Sequence, residues 1–388
     1  MRCRVKIAFY APLKPPDHPV PSGDREIARH LMSALGMARH DVLLASRFRS
    51  FDATGNAARQ SRLRVLGTRL ADRLIARYRD ADRPQLWFTY HLHHKAPDHL
   101  GPRVSRALRI PYVVAEASIA PSQREGPWAA GFADAYAAIQ SADLVVFVNP
   151  KDVCEVRRAR GNNAAWAMLP PFIDASRFGN LAKRAHSESD APLRLVTVAM
   201  MRSGAKLSSY RLLAAALVQL GDVNYTLTVV GDGPARDDVH AAFARTSERV
   251  SFIGALPPTE IAAFLATCDV FVWPAIGEAI GLALIEAQAC GLPVVAGATP
   301  GVATVVVDGV AGVLAPEGDA AAFATALRRL ALDAPLRRQM ADQARAHVLA
   351  NHDIGAAATR LDALLREAFS ASCFARAASR PAPSRALP

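Results

Sequence analysis

The chain has 388 residues, 51% of them hydrophobic, so burial is not limiting and two domains are the default reading. Five scattered cysteines (Cys3, Cys154, Cys268, Cys290, Cys373) form no CxxC pair, which argues against a disulfide framework or a cysteine zinc site and for a reducing compartment. The net charge of +11 lies wholly in residues 1–180, where 27 Lys and Arg face 16 Asp and Glu; the rest of the chain is neutral. No apolar run approaches the roughly 18 residues of a membrane span, and the N-terminal one is too short for a signal peptide. A cytoplasmic protein is expected, with its basic half carrying the surface for an anionic partner.

Residues 5–11 (VKIAFYA) read as a buried strand, and a loop with five prolines leads from it to Ser22-Gly23-Asp24. Ile27, Leu31 and Leu35 then keep helical spacing. A strand, a glycine turn and a helix form a substrate- or phosphate-facing loop in many α/β folds, which makes Gly23 a candidate. A capped surface turn is the plainer alternative. Residues 41–45 are a second strand. Residues 57–79 form a basic helix, with Leu63, Leu66, Leu70 and Leu74 on one face and Arg59, Arg62, Arg69, Arg73 and Arg77 on another. That pattern suits a helix lying on anionic membrane headgroups, or a solvated face above a leucine core. No aromatics interleave with the arginines and no nucleic-acid module is visible, so nucleic acid is not expected as a partner.

Residues 86–90 (LWFTY) are a strand ending at His91, followed by His93 and His94. The HLHHK stretch lacks a carboxylate set beyond Asp98, so no metal site is expected. Ligands of open α/β sheets bind outside the carboxyl ends of strands, which makes His91 a site candidate beside its reading as a structural histidine. The strand at 111–115 places Glu116 at a similar edge, as an acceptor-side candidate. A strand at 143–148 and a helix from Lys151 follow. The proline-marked residues 168–178 lead into a charged stretch at 183–190, and the domain boundary is placed between residues 180 and 181.

The alternation then restarts. Residues 193–199 are a strand, 200–206 (MMRSGAK) its exit loop, and a helix is expected from about Tyr210. A strand at 225–230 ends in Gly231-Asp232-Gly233-Pro234, and 250–252 leads to Gly254. Residues 270–273 enter WPAIGEAIGLALIEAQACGLPVVA (273–296), with Glu278 in a loop and Glu286 on the first turns of a helix opened by Gly281-Leu282. A strand at 312–314, helices at 318–331 and 334–349, and a last helix from about Ile354 to Phe369 complete a C-terminal domain of residues 181–370. Residues 371–388 read as a disordered tail.

Two halves that each alternate strands and helices imply an α/β fold of two doubly wound Rossmann-like domains facing each other across a cleft. Arg202, Lys206, Gly231, Glu278, the N–H groups of Gly281, Leu282 and Ala283, and Glu286 fall on the carboxyl edge of the second sheet. Two cations and a helix N-terminus suit a diphosphate, and carboxylates beyond it suit vicinal hydroxyls, as a nucleotide sugar would present.

The spacing Glu278, seven residues, Glu286, with Gly281-Leu282 inside and Gly291-Leu-Pro-Val-Val after it, resembles the retaining GT-B glycosyltransferases of glycosyltransferase family 4. The resemblance extends to VVGDGP (229–234) and to residues 252–275, and covers most of the C-terminal domain. It implies the GT-B fold, an N-terminal acceptor domain, and transfer with retention from a UDP- or GDP-sugar without a required cofactor or metal. The acceptor it implies is a saccharide or a lipid-linked molecule, in cell-envelope polysaccharide or glycolipid assembly; the basic N-terminal half suggests work at the inner face of the cell membrane. Carried over position by position, Glu286 would meet the ribose, Glu278 would orient sugar hydroxyls, Arg202 and Lys206 would hold the diphosphate, and backbone near Gly254 would meet the base. His91 would match the N-terminal histidine that reaches the donor sugar. The family's double glycine in the first loop is Ser22-Gly23 here, Ala279-Ile280 replaces the usual phenylalanine, and Gly301-Val302-Ala303-Thr304 lacks the usual carboxylate. Two other readings share the architecture. A nicotinamide-dependent oxidoreductase needs a GxGxxG that Gly231-Asp-Gly233-Pro-Ala-Arg236 does not supply; a catalytically silent nucleotide-sugar-binding subunit would keep the same ligand groups.

Overall fold

The computed structural model describes residues 4–20, 22–161, 164–178 and 191–378, with side chains as far as Phe369. It divides into two compact units, Met1–Leu169 with Ala357–Pro388, and Pro170–Ala356. In the first unit the order is β1 (Lys6–Tyr10), α1 (Gly23–Met37), β2 (Asp41–Ser46), α2 (Ala57–Asp80), β3 (Leu86–Leu92), α3 (Gly101–Leu108), β4 (Tyr112–Ala117), α4 (Ala129–Ser141), β5 (Leu144–Phe147), α5 (Val153–Arg160) and β6 (Trp166–Met168). The strands form one sheet in the order β2-β1-β3-β4-β5-β6, every pair parallel. Ile7 to Tyr10 and Val113 to Ala115 are buried without alternation, as a parallel sheet covered on both faces requires.

The second unit runs β7 (Leu193–Val198), α6 (Ala205–Val218), β8 (Tyr225–Val230), α7 (Arg236–Ala242), β9 (Val250–Phe252), α8 (Pro258–Leu265), β10 (Val270–Trp273), α9 (Leu282–Ala289), β11 (Val294–Gly297), β12 (Gly312–Ala315), α10 (Ala320–Leu332) and α11 (Ala334–Asn351). Its parallel sheet has the order β12-β11-β10-β7-β8-β9. Both sheets are thus doubly wound, as the alternation of strands and helices implied. The strand order reverses between β1 and β3 in the first sheet and between β7 and β10 in the second. Such reversals part the loops at the carboxyl edge and open a crevice there, which is where doubly wound sheets bind ligands.

Several expectations are corrected. The chain leaves the first unit after Leu169 rather than at residue 180, because Ile173 bonds within the second unit: its N–H donates to the His352 carbonyl (2.9 Å), and the Ile354 N–H donates to its own carbonyl (2.8 Å). The charged stretch at 183–190 lies outside the described residues. The last helix, α12 (Ile354–Ala378), counts with the first unit from Ala357 onward, where Leu361, Leu365 and Ala368 bury a helical stripe. It also runs to Ala378, into the segment expected to be a tail; residues 379–388 lie outside the described ones. The helix expected from Tyr210 begins at Ala205, so Lys206 stands on its first turn rather than in the loop. In α2 the buried stripe is Gln60, Gly67, Ala71, Ile75 and Tyr78, not the leucines. Small residues set this face: a Cβ on Gly67 would fall 2.5 Å from the His99 Cβ, so only glycine lets the helix come this close. Val65 and Leu66 consequently stand about half exposed among the arginines.

Candidate active site

In the second unit, the loops leaving β7 and β8 lie backbone to backbone. Met201 N–H donates to the Asp232 carbonyl (2.9 Å) and Ala235 N–H to the Met201 carbonyl (3.0 Å). A Cβ on Gly231 would fall 1.9 Å from the Ala199 carbonyl oxygen, and one on Gly233 2.2 Å from that of Met201. The Gly-Asp-Gly sequence is therefore required by this approach. Gly231 N–H also donates to the Gly254 carbonyl (2.8 Å), which brings these two candidates together.

The loop from β10 to α9 carries the first glutamate. Ala275, Gly277 and Gly281 all have φ near +60° to +75°, which turns the chain sharply around Glu278. The turn is held from outside: Gly277 N–H donates to Glu317 (2.8 Å), Ile276 N–H to the Ser209 hydroxyl (3.0 Å), and the Thr299 hydroxyl to the Glu278 carbonyl (3.0 Å). A Cβ on Gly301 would meet the Ala279 carbonyl oxygen at 1.9 Å, so the loop that lacks the family's carboxylate packs directly on this turn.

The Glu278 carboxylate, half-buried, pairs with Lys206 and accepts a hydrogen bond from the Trp273 indole N–H (3.3 Å). The Lys206 ammonium lies 5.1 Å from the Trp273 ring centroid, so the three side chains form one cluster at the β7–β10 switch point. Gly281 begins α9 without a side-chain cap, which leaves the first N–H groups of the helix, including those of Leu282 and Ala283, to be satisfied by solvent or an anion. Glu286 is half-buried on the next turn. Arg202 is exposed and makes no ion pair with a described residue.

In the first unit His91 sits at the end of β3 with φ +61°, and its Nδ1 lies 3.0 Å from Asp24 Oδ1 on the first turn of α1. Ser22 caps that helix by accepting from the Arg25 N–H (3.3 Å), so Gly23 and Asp24 open it directly after the proline-rich loop. Burial lowers the His91 pKa, but Glu116 and the Asp24 bond outweigh it, and the net shift is upward. Asp24 is displaced downward: burial opposes this, and the bond and charge of His91 prevail. His93 is driven well below its ordinary value, by burial first and then by the neighbouring charges of His91 and His94. Among the described residues, no group of three or more His, Cys, Asp or Glu is arranged to hold a metal ion. Sequence reasoning missed Asp24 and Trp273. Asp24 had a signal in its place beside Gly23 at a strand-exit turn; Trp273 had none beyond standing last on its strand.

The two doubly wound sheets, each with polar side chains at its switch point, define the GT-B class. Residues 187–347 match the model of the family described as Glycosyl transferases group 1. The chain is 29% identical over 225 residues to a D-inositol 3-phosphate glycosyltransferase of Corynebacterium jeikeium, covering 54% of each protein. It is 31% identical over 205 residues to the GDP-mannose-dependent alpha-(1-6)-phosphatidylinositol monomannoside mannosyltransferase of Mycolicibacterium smegmatis, covering 50% of this chain and 54% of that protein. The chain therefore spans about half the length of these curated relatives. Solved structures share the fold over nearly the whole chain. Sucrose-phosphate synthase from Thermosynechococcus elongatus superposes with a TM-score of 0.71 at 21% identity, covering 94% of this chain and 100% of that one. Anabaena HepE in complex with UDP and glucose superposes with a TM-score of 0.69 at 18% identity, with the same coverage.

Proposed function

We propose that the protein is a glycosyltransferase that moves a sugar from a nucleoside-diphosphate sugar to an acceptor hydroxyl, with retention of anomeric configuration and without a metal. The observation that carries this reading is the Lys206–Glu278–Trp273 cluster at the β7–β10 switch point, beside the uncapped start of α9. An ammonium and free helix N–H groups suit a diphosphate, and a carboxylate beside them suits sugar hydroxyls. Arg202 is the second cation for the diphosphate, and Glu286 takes the ribose. Gly254 and Gly231 shape the base side. Lys206 and Glu278 neutralise each other here, so donor binding exchanges their mutual contact for phosphate and hydroxyl contacts. As the leaving diphosphate gathers negative charge, the released ammonium stabilises it. His91 takes the role that the resemblance implies for it, a contact with the donor sugar.

Support for the donor comes from relatives and neighbours: one relative is GDP-mannose-dependent, and HepE was solved with UDP and glucose. A saccharide or lipid-linked acceptor is consistent with relatives named for inositol phosphate, phosphatidylinositol mannoside and amylovoran biosynthesis. We place the work on the cytoplasmic face of a membrane, on the strength of the exposed Arg62, Val65, Leu66, Arg69 and Arg73 of α2 and a groove of about 630 Å³ lined by Arg79, Arg106 and the Arg103–Asp72 pair. No helix among the described residues is long and apolar enough to cross a membrane. A screen of UDP-, GDP- and dTDP-sugars by product mass spectrometry, with chelator present, tests the central claim. Turnover with one donor and an α- or β-anomer matching that donor is expected. Binding of a nucleoside diphosphate without turnover of any donor would leave a silent binding subunit instead. Co-sedimentation with anionic liposomes at low salt, lost at raised salt, is the expected outcome for the membrane face, and no binding at low salt refutes it.

A further inference from the structure

Two residues other than glycine stand in the left-handed region side by side on adjacent strands. Tyr90 pairs with Ala115 and Leu92 with Ala117 across the β3–β4 ladder, which leaves His91 and Glu116 opposite each other. Their φ angles are +61° and +57°. Each such residue costs about 1–3 kcal/mol, and such strain gathers where a side chain must be aimed. Glu116 is also buried (8% exposed). The Tyr90 hydroxyl, also buried, lies against this carboxylate. A carboxylate buried on a left-handed backbone is costly, so strain and burial here serve something other than the stability of the sheet.

The side chains facing this pair come from every element packed against it. Asp24 reaches His91 from α1, and Lys14 acts on Asp24 from the loop after β1. Tyr90 and His93 flank His91 on its own strand and exit. Asp152 approaches from the turn after β5, its own pKa raised by burial. Glu116 itself is raised, by burial first, with His91 as the main opposing influence. With Nδ1 bonded to Asp24, only Nε2 of the imidazole is left to meet a substrate.

We infer that Glu116 is a positioning residue for His91, which together with Asp24 keeps both ring nitrogens protonated so that Nε2–H donates to a substrate oxygen. The inference rests on the assignment of His91 to the donor sugar given above. It fits a ligand oxygen that gains negative charge or a sugar hydroxyl oxygen.

The test is a histidine-ring NMR titration of the full chain, wild type against Glu116→Gln, with the pH profile of transfer measured alongside. Glu116→Gln keeps the shape and removes the charge, and is expected to lower the His91 midpoint by about one pH unit, a tenfold loss in proton affinity. The alkaline limb of the pH profile should move down by the same amount. Glu116→Gly, which also relaxes the left-handed backbone, gives a second variant expected to fold and to show the same displacement. An unchanged His91 midpoint in both variants overturns the inference whatever the activity. If the midpoint moves but His91→Ala transfers sugar at the wild-type rate, the pairing stands and the assignment of His91 to the donor sugar falls.

Discussion

At the edge of the second sheet the sharp turns fall mostly on glycine: Gly277 and Gly281 have positive φ, and Gly231, Gly233 and Gly301 admit a carbonyl oxygen within about 2 Å of where a Cβ would stand. At the edge of the first sheet the corresponding turns fall on His91 and Glu116, which keep their side chains at the cost of strain. The two sheet edges thus meet the same backbone demand differently. In the second unit the backbone itself is the instrument, since free N–H groups at α9 and close loop contacts need no side chain. The side chains proposed to work there, Lys206 and Glu278, are brought in from positions of ordinary geometry. In the first unit the side chains are the instrument, and glycine would forfeit them.

The comparison breaks most cleanly at Glu278. Glu278→Ala removes the partner of Lys206 and the proposed ligand of the sugar hydroxyls; a loss in kcat on the order of 10²–10³ is expected, with nucleoside-diphosphate binding retained by calorimetry. Loss of nucleotide binding instead would show that the residue is architectural. Next in size is Gly231→Ala, which drives a methyl against the Ala199 carbonyl, backbone against backbone. A loss of about 3 kcal/mol in urea unfolding is expected from overpacking of this kind.

A third test concerns charge. His91 is raised when folded, so its contribution to stability is present below its ordinary pKa of about 6.5 and is lost as pH rises through the folded value. Asp24 is lowered when folded, so its contribution is present above the ordinary carboxylate range and is lost as pH falls through the folded value. The stability difference between wild type and Asp24→Asn should therefore peak at about pH 5–6 and shrink on both sides. A pH-independent difference would mean the two groups do not couple. The smallest effect is expected at Gly23, where a Cβ would meet nothing within 4 Å. Gly23→Ala should change stability by less than about 0.5 kcal/mol, so any large loss of activity there reports a ligand approaching the helix start.

The sequence by itself determined the strand runs, the two-fold alternation and the Glu278–Glu286 spacing with its glycines, because each of these is local: periodicity, turn chemistry and a motif of nine residues. It also placed His91 and Glu116 at strand ends. What only the tertiary structure decided is which strand ends become neighbours. Lys206 and Glu278 are 72 residues apart, and Asp24 and His91 67 apart; each pair meets because strand order reverses between β7 and β10 and between β1 and β3. The return of α12 to the first unit is of the same kind, since its apolar stripe is legible but the face that accepts it is not. Local patterns fix what each segment becomes, whereas strand order is set by the summed burial of two whole sheets, and no short stretch of chain carries that information.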